Sequence, residues 1–180
     1  MMALPTPQKA PFHTAVAQFQ SGADSPRAFL ERCLAAVDRF EPQVGAFVCM
    51  DVAAARSAAD AASARWKSGT PLSRIDGMPV GIKDIIETAQ FPTQMGSPLF
   101  DGWHSHRDAA SVAALRQAGA IVLGKTNVPQ LLLAAETENP IWGITHNPWR
   151  LDRSPGGSSG GEAAALAAGM TPLGVGTDIG

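Results

Sequence analysis

The spacing of apolar residues predicts a helix early in the chain. Apolar positions recur at intervals of three and four residues after Ser25 and Pro26, a pair typical of the N-cap and first position of a helix. Pro42 is expected to end this helix, because proline lacks a backbone donor and crowds the preceding turn. The repeat places one apolar face toward a core.

Two further elements follow in the first half. Residues 44–50 form an apolar run suited to a short strand. Asp51 is then expected to cap an Ala-rich helix that ends near Trp66. These elements offer packing residues rather than reactive ones.

The second half alternates helix and strand. Asp108 is expected to cap a helix that runs through Gln117 and ends at Gly119. Residues 120–123 then form an apolar run typical of a buried strand. This alternation predicts an α/β fold with a parallel or mixed sheet.

Composition and charge narrow the classes of function. The 180 residues are 45% hydrophobic and 17% charged, which is ordinary for a globular domain. A net charge of −2 gives no field for nucleic acid, and no apolar run approaches the length of a membrane span. The start lacks the apolar segment of a secretory signal, and 2 cysteines cannot form a disulfide framework. We therefore expect a cytoplasmic protein whose partner is a small molecule.

Residues 77–87, GMPVGIKDIIE, set Lys83 among aliphatic side chains. Removal from water disfavours the charged form of a lysine, which lowers its pKa and permits general-base action. The alternative is a lysine whose stem packs on apolar surface while its ammonium group reaches water beside Asp84. The residues alone leave both interpretations open.

Glycines and hydroxyls concentrate in residues 153–180, RSPGGSSGGEAAALAAGMTPLGVGTDIG. Ser159 and Glu162 have the spacing of a capping box before a strong helix-forming run, which predicts Ser158 and Ser159 at a helix N-terminus. The flanking glycines let the backbone approach a ligand closely, a setting suited to an anion or oxyanion. An ordinary glycine-serine connection with a good cap is the alternative.

Other motifs compete for the same residues. A phosphate-binding loop requires lysine where Glu162 stands, and no dinucleotide fingerprint has the right glycine spacing. G-x-S-x-G occurs at Ser158 and again at Ser159, as in the nucleophile elbow of α/β-hydrolases. The preceding NPWRLDRSP does not suit the buried strand that this elbow requires, so the elbow is the weaker interpretation.

Several segments resemble, in order, the motifs of the amidase signature family: DGMPVGIKDI, PTQMGS, AGAIVLGKTNVPQ, NPIWG with NPW, and GGSSGGE followed by PLGVGTDIG. The resemblance implies a mixed twisted β-sheet covered by α-helices on both sides, incomplete in this chain. Residues 1–180 would then be the N-terminal portion of a single amidase signature domain. Within it, residues 1–75 are expected to form a helical scaffold and residues 76–180 the start of the catalytic core.

The resemblance implies a Ser, cis-Ser, Lys triad, in which Lys83 and Ser158 are two members and the peptide before Ser158 is cis. The nucleophilic serine belongs to a TDIGGS segment and is expected two residues past the final glycine, outside the 180 residues. Ser159 is expected to help hold the lysine. The turn that supplies oxyanion-hole N–H groups is expected at Thr177, Asp178, Ile179 and Gly180.

The implied reaction is hydrolysis of a carboxylic amide to an acid and ammonia or an amine, through an acyl-enzyme and without a metal or organic cofactor. His104 and His106 lack further ligands at the spacing of a metal site. Three side chains after TNVPQ are expected to border the acyl group of the substrate: Leu132, Leu133 and Ala134. Packing in the core is an equal alternative for them.

Three alternatives to a free-standing amidase remain. The chain departs at residues 128–132 from the Met-Asp-Glu-Phe-like segment usual in the amidotransferase component for aminoacyl-tRNA that belongs to this family, which favours the free-standing enzyme. An inactive truncated polypeptide and an α/β-hydrolase are the other two. A homodimer of the complete protein is left open.

Overall fold

The computed structural model describes residues 6–178. Its α-helices are α1 (Phe12–Ser21), α2 (Pro26–Val44), α3 (Val52–Lys67), α4 (Ala110–Gln117) and α5 (Gly160–Ala167). Its strands are β1 (Phe47–Met50), β2 (Pro79–Lys83), β3 (Ile121–Thr126), β4 (Glu138–Asn139), β5 (Gly143–Ile144) and β6 (Leu173–Val175). Short 3-10 turns lie at Pro98–Phe100 and Gln130–Leu132.

Helix α2 begins as predicted but ends later. The Ser25 hydroxyl accepts a backbone N–H of the first turn at 3.2 Å, and Pro26 occupies the first helical position. The prediction that Pro42 ends the helix is wrong: Pro42 lies in the last turn and removes only its own N–H donor, while the Gly45 N–H beyond it still bonds to the Glu41 carbonyl at 2.9 Å. Gly45, with a φ of 63°, ends the helix instead.

The two predicted aspartate caps have different outcomes. Asp51 accepts a backbone N–H from the first turn of α3 at 2.8 Å, which confirms that cap. Asp108 does not cap α4; it accepts the Ala89 N–H at 2.7 Å and pairs with Arg116 at 3.0 Å. The loop and the arginine satisfy this carboxylate, and α4 begins without a side-chain cap.

The strands confirm the expected mixed sheet. The strand order is β1-β3-β2-β6, with β1 antiparallel to β3 and β2 parallel to both β3 and β6. All residues of β2 and β3 are buried. The pairing places Lys83 opposite Thr126, and Gly81 opposite Gly174. The separate pair β4 and β5 is antiparallel.

Helices cover this sheet through aromatic and small side chains. Aliphatic residues of β2 share one cluster with four aromatic rings from α1, α2 and α3. The rings meet edge-to-face or tilted: Phe12, Phe19, Phe29 and Trp66. Small side chains of α5 and its C-cap pack on the second half of α2: Ala164, Ala165 and Ala168. This close contact fixes α5, whose N-terminus carries the two serines, over β2, β3 and β6.

Candidate active site

Lys83 ends the central strand β2 and is fully buried at 0% exposure. Its Nζ donates to the Ser158 Oγ at 2.7 Å and to the Thr177 Oγ1 at 2.8 Å, with the Thr177 carbonyl at 3.4 Å. Burial lowers the pKa of Lys83, and the charge of Asp178 counters part of this shift. The predicted contact between Lys83 and Ser158 is therefore present, and the alternative of a solvent-reaching ammonium group is wrong.

Ser158 follows a cis peptide bond from Gly157, as the resemblance implies. Gly157 lies against the chain of the preceding loop, where an added Cβ would stand 3.0 Å from the Ala134 carbonyl oxygen. A side chain at this position would therefore push the serine loop away from that wall.

The predicted capping box is not formed. Ser159 is the N-cap residue of α5 but makes no side-chain cap bond. Its Oγ donates to the Thr177 carbonyl at 3.2 Å and lies 3.4 Å from the Thr177 backbone nitrogen. Glu162 turns into the interior, where its Oε2 accepts the Thr126 hydroxyl at 2.9 Å. Contrary to expectation, Ser159 therefore does not hold the lysine directly. It holds Thr177, which in turn contacts Lys83.

The predicted oxyanion turn is described only in part. Thr177 and Asp178 are exposed, while Ile179 and Gly180 lie outside the described residues. The contact of the Thr177 side chain with Lys83 was not predicted, since the resemblance implied a role only for the backbone of TDIG. No local pattern identifies this contact, because 94 residues separate the two partners.

The three predicted pocket residues point to different surroundings. Leu132 is buried at 7% exposure, Leu133 is 80% exposed, and Ala134 is exposed beside the cis peptide. Positive φ values of 52° and 63° at Leu131 and Leu132 produce this sharp change of direction. An open cavity of about 460 Å³ borders Ala134 and includes Glu136 and Glu138. Leu133 and Ala134 are therefore accessible, whereas Leu132 packs inside.

A second buried lysine lies on the neighbouring strand. Lys125 of β3 pairs with Asp84 at 3.0 Å, and both side chains are buried. Burial lowers the pKa of Lys125 and raises that of Asp84, and their mutual attraction counters both shifts. Lys125 also donates to the Thr93 hydroxyl at 2.7 Å. This pair was not predicted, although a lysine at the end of the apolar run AIVLGK was a usable signal.

No group of three or more His, Cys, Asp or Glu within residues 6–178 is arranged to hold a metal ion. In the same part of the chain, no helix is long and apolar enough to cross a membrane.

The mixed sheet and the buried lysine at the end of its central strand, bonded to a serine after a cis peptide, agree with the amidase signature. A family model described as Amidase matches residues 28–180, and the chain belongs to this family. The A component of the glutamyl-tRNA(Gln) amidotransferase of Salinispora arenicola is 45% identical over 160 residues, covering 89% of this chain and 32% of that protein.

Two solved structures are also similar. The 6-aminohexanoate cyclic dimer hydrolase is 31% identical with a TM-score of 0.81, covering 91% of this chain and 33% of its own. The peptide amidase from Stenotrophomonas maltophilia is 28% identical with a TM-score of 0.82, covering 89% and 34% respectively. The chain thus spans about a third of the length of the curated relatives it matches.

Proposed function

We propose that the whole protein containing this chain is an amidase that hydrolyses a small carboxylic amide in the cytoplasm. Residues 1–180 would form the N-terminal part of one amidase signature domain, with a scaffold at 1–75 and the start of the catalytic core at 76–180. The observation that carries the proposal is the 2.7 Å contact between the desolvated Lys83 and Ser158. A lysine base needs both reach and a lowered pKa to act near neutral pH.

The proposed reaction proceeds through an acyl-enzyme. Neutral Lys83 accepts a proton from Ser158, which takes one from the nucleophilic serine expected downstream. That serine forms a bond to the carbonyl carbon, and the returning proton reaches the nitrogen as the C–N bond breaks. Water then releases the acid by the same path. N–H groups of the turn after Thr177 would stabilise the oxyanion, worth about 3 kcal/mol per donor.

The second candidate is the A component of a glutamyl-tRNA(Gln) amidotransferase. The observation in its favour is the 45% identity with the Salinispora protein of that name. The departure at residues 128–132 still favours a free-standing amidase acting on a small molecule. Ammonia release from simple amides by the purified whole protein alone would support the amidase, whereas a strict requirement for partner proteins would support the amidotransferase.

Lys83→Ala in the whole protein should lower kcat by orders of magnitude because it removes the base, and cooperative thermal unfolding of the variant should show that the loss does not come from unfolding. Lys67→Ala, at an exposed lysine of α3, is the matched control and should retain activity. An activated phosphonate, located by mass spectrometry, should label a serine downstream of residue 180. Label on Ser158 or Ser159 would instead support the α/β-hydrolase elbow.

A further inference from the structure

The carboxyl group of Glu162 is buried at 3% exposure on the first turn of α5. Its Oε2 accepts the Thr126 hydroxyl at 2.9 Å, whereas its Oε1 has no hydrogen-bond partner in the described part of the chain. Burial raises the pKa of Glu162 to about 8, against a smaller opposite effect of the Thr126 bond. The carboxyl group is therefore mainly protonated at pH 7.

Two strand glycines provide the space that this carboxyl group occupies. Gly81 of β2 and Gly174 of β6 are paired across the sheet. An added Cβ at Gly81 would lie 2.6 Å from the Glu162 Oε1, and one at Gly174 would lie closer still. At both glycines the three nearest atoms all belong to Glu162. The carboxyl group fits only because both positions lack side chains.

This space lies directly beneath the lysine and the serines. Side chains on a strand alternate between faces, so Lys83 projects from the same face of β2 as Gly81. Thr126, which holds the carboxyl group, is in register with Lys83. An added Cβ at Gly176 would lie 2.8 Å from the Ser159 Oγ. The carboxyl group thus joins α5 to three strands, because it contacts β2 and β6 at their glycines and is hydrogen-bonded to β3. Its contact on β2 lies two residues before Lys83.

The charged side chains near this space lie on opposite faces of the sheet. Lys125 is in register with Ile82 and therefore projects from the opposite face, where it pairs with Asp84. Lys83 is the titratable residue of β2 on the carboxyl side, and the charge of Asp178, which follows β6, acts on it. The residues of α2 that pack against α5 are apolar: Val37, Phe40 and Val44.

We infer that Glu162 is a positioning residue of the proposed amidase, whose carboxyl group fixes the first turn of α5 to β2, β3 and β6 and so holds Ser158 within reach of Lys83. The inference rests on the proposed function.

Glu162→Ala and Glu162→Gln in the whole protein test this role. Glu162→Ala should lower kcat about tenfold or more and change KM by less than about threefold. The acidic limb of its pH profile for kcat/KM should move to higher pH, because water entering the vacated space relieves the desolvation of Lys83. Glu162→Gln should have nearly the kcat of the unmodified protein and an acidic limb at the unmodified pH, since glutamine has the same shape and accepts the Thr126 hydroxyl. An unmoved limb in Glu162→Ala, or equal impairment in both variants, would overturn the inference.

Gly81→Ala keeps the test decisive if Glu162→Ala alone does not fold, because it leaves Glu162 in place and should lower kcat by displacing the carboxyl group. In Gly81→Ala combined with Glu162→Ala the new methyl group fills the space that the carboxyl group vacates, so the double variant should fold and be more active than Gly81→Ala alone. A double variant no better than the single one contradicts the packing argument. Failure of the unmodified whole protein to hydrolyse any amide or take up phosphonate would reject the amidase itself, whereas an active protein with unresponsive Glu162 variants would reject only this inference.

Discussion

Lys83 is held by two hydroxyl groups that differ in origin. Ser158 comes from the loop before α5, and Thr177 comes from the turn after β6. Ser159 bonds both the carbonyl and the N–H of Thr177, so the loop and the turn are tied to each other as well as to the lysine. Because the pKa of Lys83 is lowered by burial, this arrangement supplies a positioned, partly desolvated amine.

Buried glutamates make the stability depend on pH. Burial raises the pKa of Glu162 from 4.5 to about 8 and that of Glu41 from 4.5 to about 7. The folded state therefore binds protons that the unfolded state has released, so their stabilisation is complete below pH 4.5 and is lost as pH rises toward 8. Urea unfolding of the whole protein at several pH values should show this decline.

Substituting each glutamate separately distinguishes the contributions of Glu162 and Glu41 to the pH dependence of stability. Glu162→Gln should remove the part of the decline that extends to about pH 8, and Glu41→Gln the part that ends near pH 7. Glu136→Gln, at an exposed glutamate, is the control. A decline that is unchanged in both variants would contradict the assignment.

At the residue scale, the contact between Lys83 and Ser158 was predictable because each lies in a motif that resembles the family. The inward turn of Glu162 was not. The S-x-x-E pattern is local, whereas burial of this carboxyl group depends on Gly81 and Gly174, which both lie outside that pattern. The Asp84–Lys125 pair was missed for the same reason, since two adjacent strands bring it together.

At the scale of elements, an aspartate cap was predictable where one carboxylate oxygen remains for the helix and not where both oxygens have other partners. Asp51 caps α3 with its Oδ1 while its Oδ2 accepts the Gln90 side chain, whereas the two oxygens of Asp108 bind a nearby loop N–H and an arginine. Strand order could not be deduced from periodicity. It follows from the packing of β2 between β3 and β6, which the buried apolar runs permit but do not specify.

The cap of α3 leads to a test of stability that leaves the site alone. Asp51→Ala should lower the free energy of unfolding by about 1 kcal/mol, because a first-turn N–H loses its acceptor. Asp51→Asn keeps an acceptor oxygen and should lose much less. Urea unfolding measures both, and kcat of the whole protein should be unchanged. Equal stability of Asp51→Ala and the parent would show that solvent replaces this cap.

At the scale of the whole molecule, the described residues leave apolar surface and sheet edges uncovered. Large side chains are exposed on several loops, with Leu99 at 82%, Leu133 at 80% and Trp149 at 54%. Strands β1 and β6 lie at the two edges of the four-stranded sheet. Since this chain covers only 32% of the Salinispora relative, we expect further sequence of the whole protein to cover part of this surface.

This expectation distinguishes residues 1–180 from the whole protein. The 180-residue polypeptide should bind a fluorescent dye specific for apolar surface and form larger species on size-exclusion chromatography, because unpaired edges and exposed aromatics promote association. It should also release no ammonia from amides and take up no phosphonate, since the expected nucleophile is absent from it. The whole protein should bind less dye and react. A monomeric, dye-free polypeptide of residues 1–180 would show that the exposed side chains need no cover. Amide hydrolysis by it, with label on Ser158, would place the nucleophile within this chain and reverse the assignment of Ser158 from proton relay to attacking group.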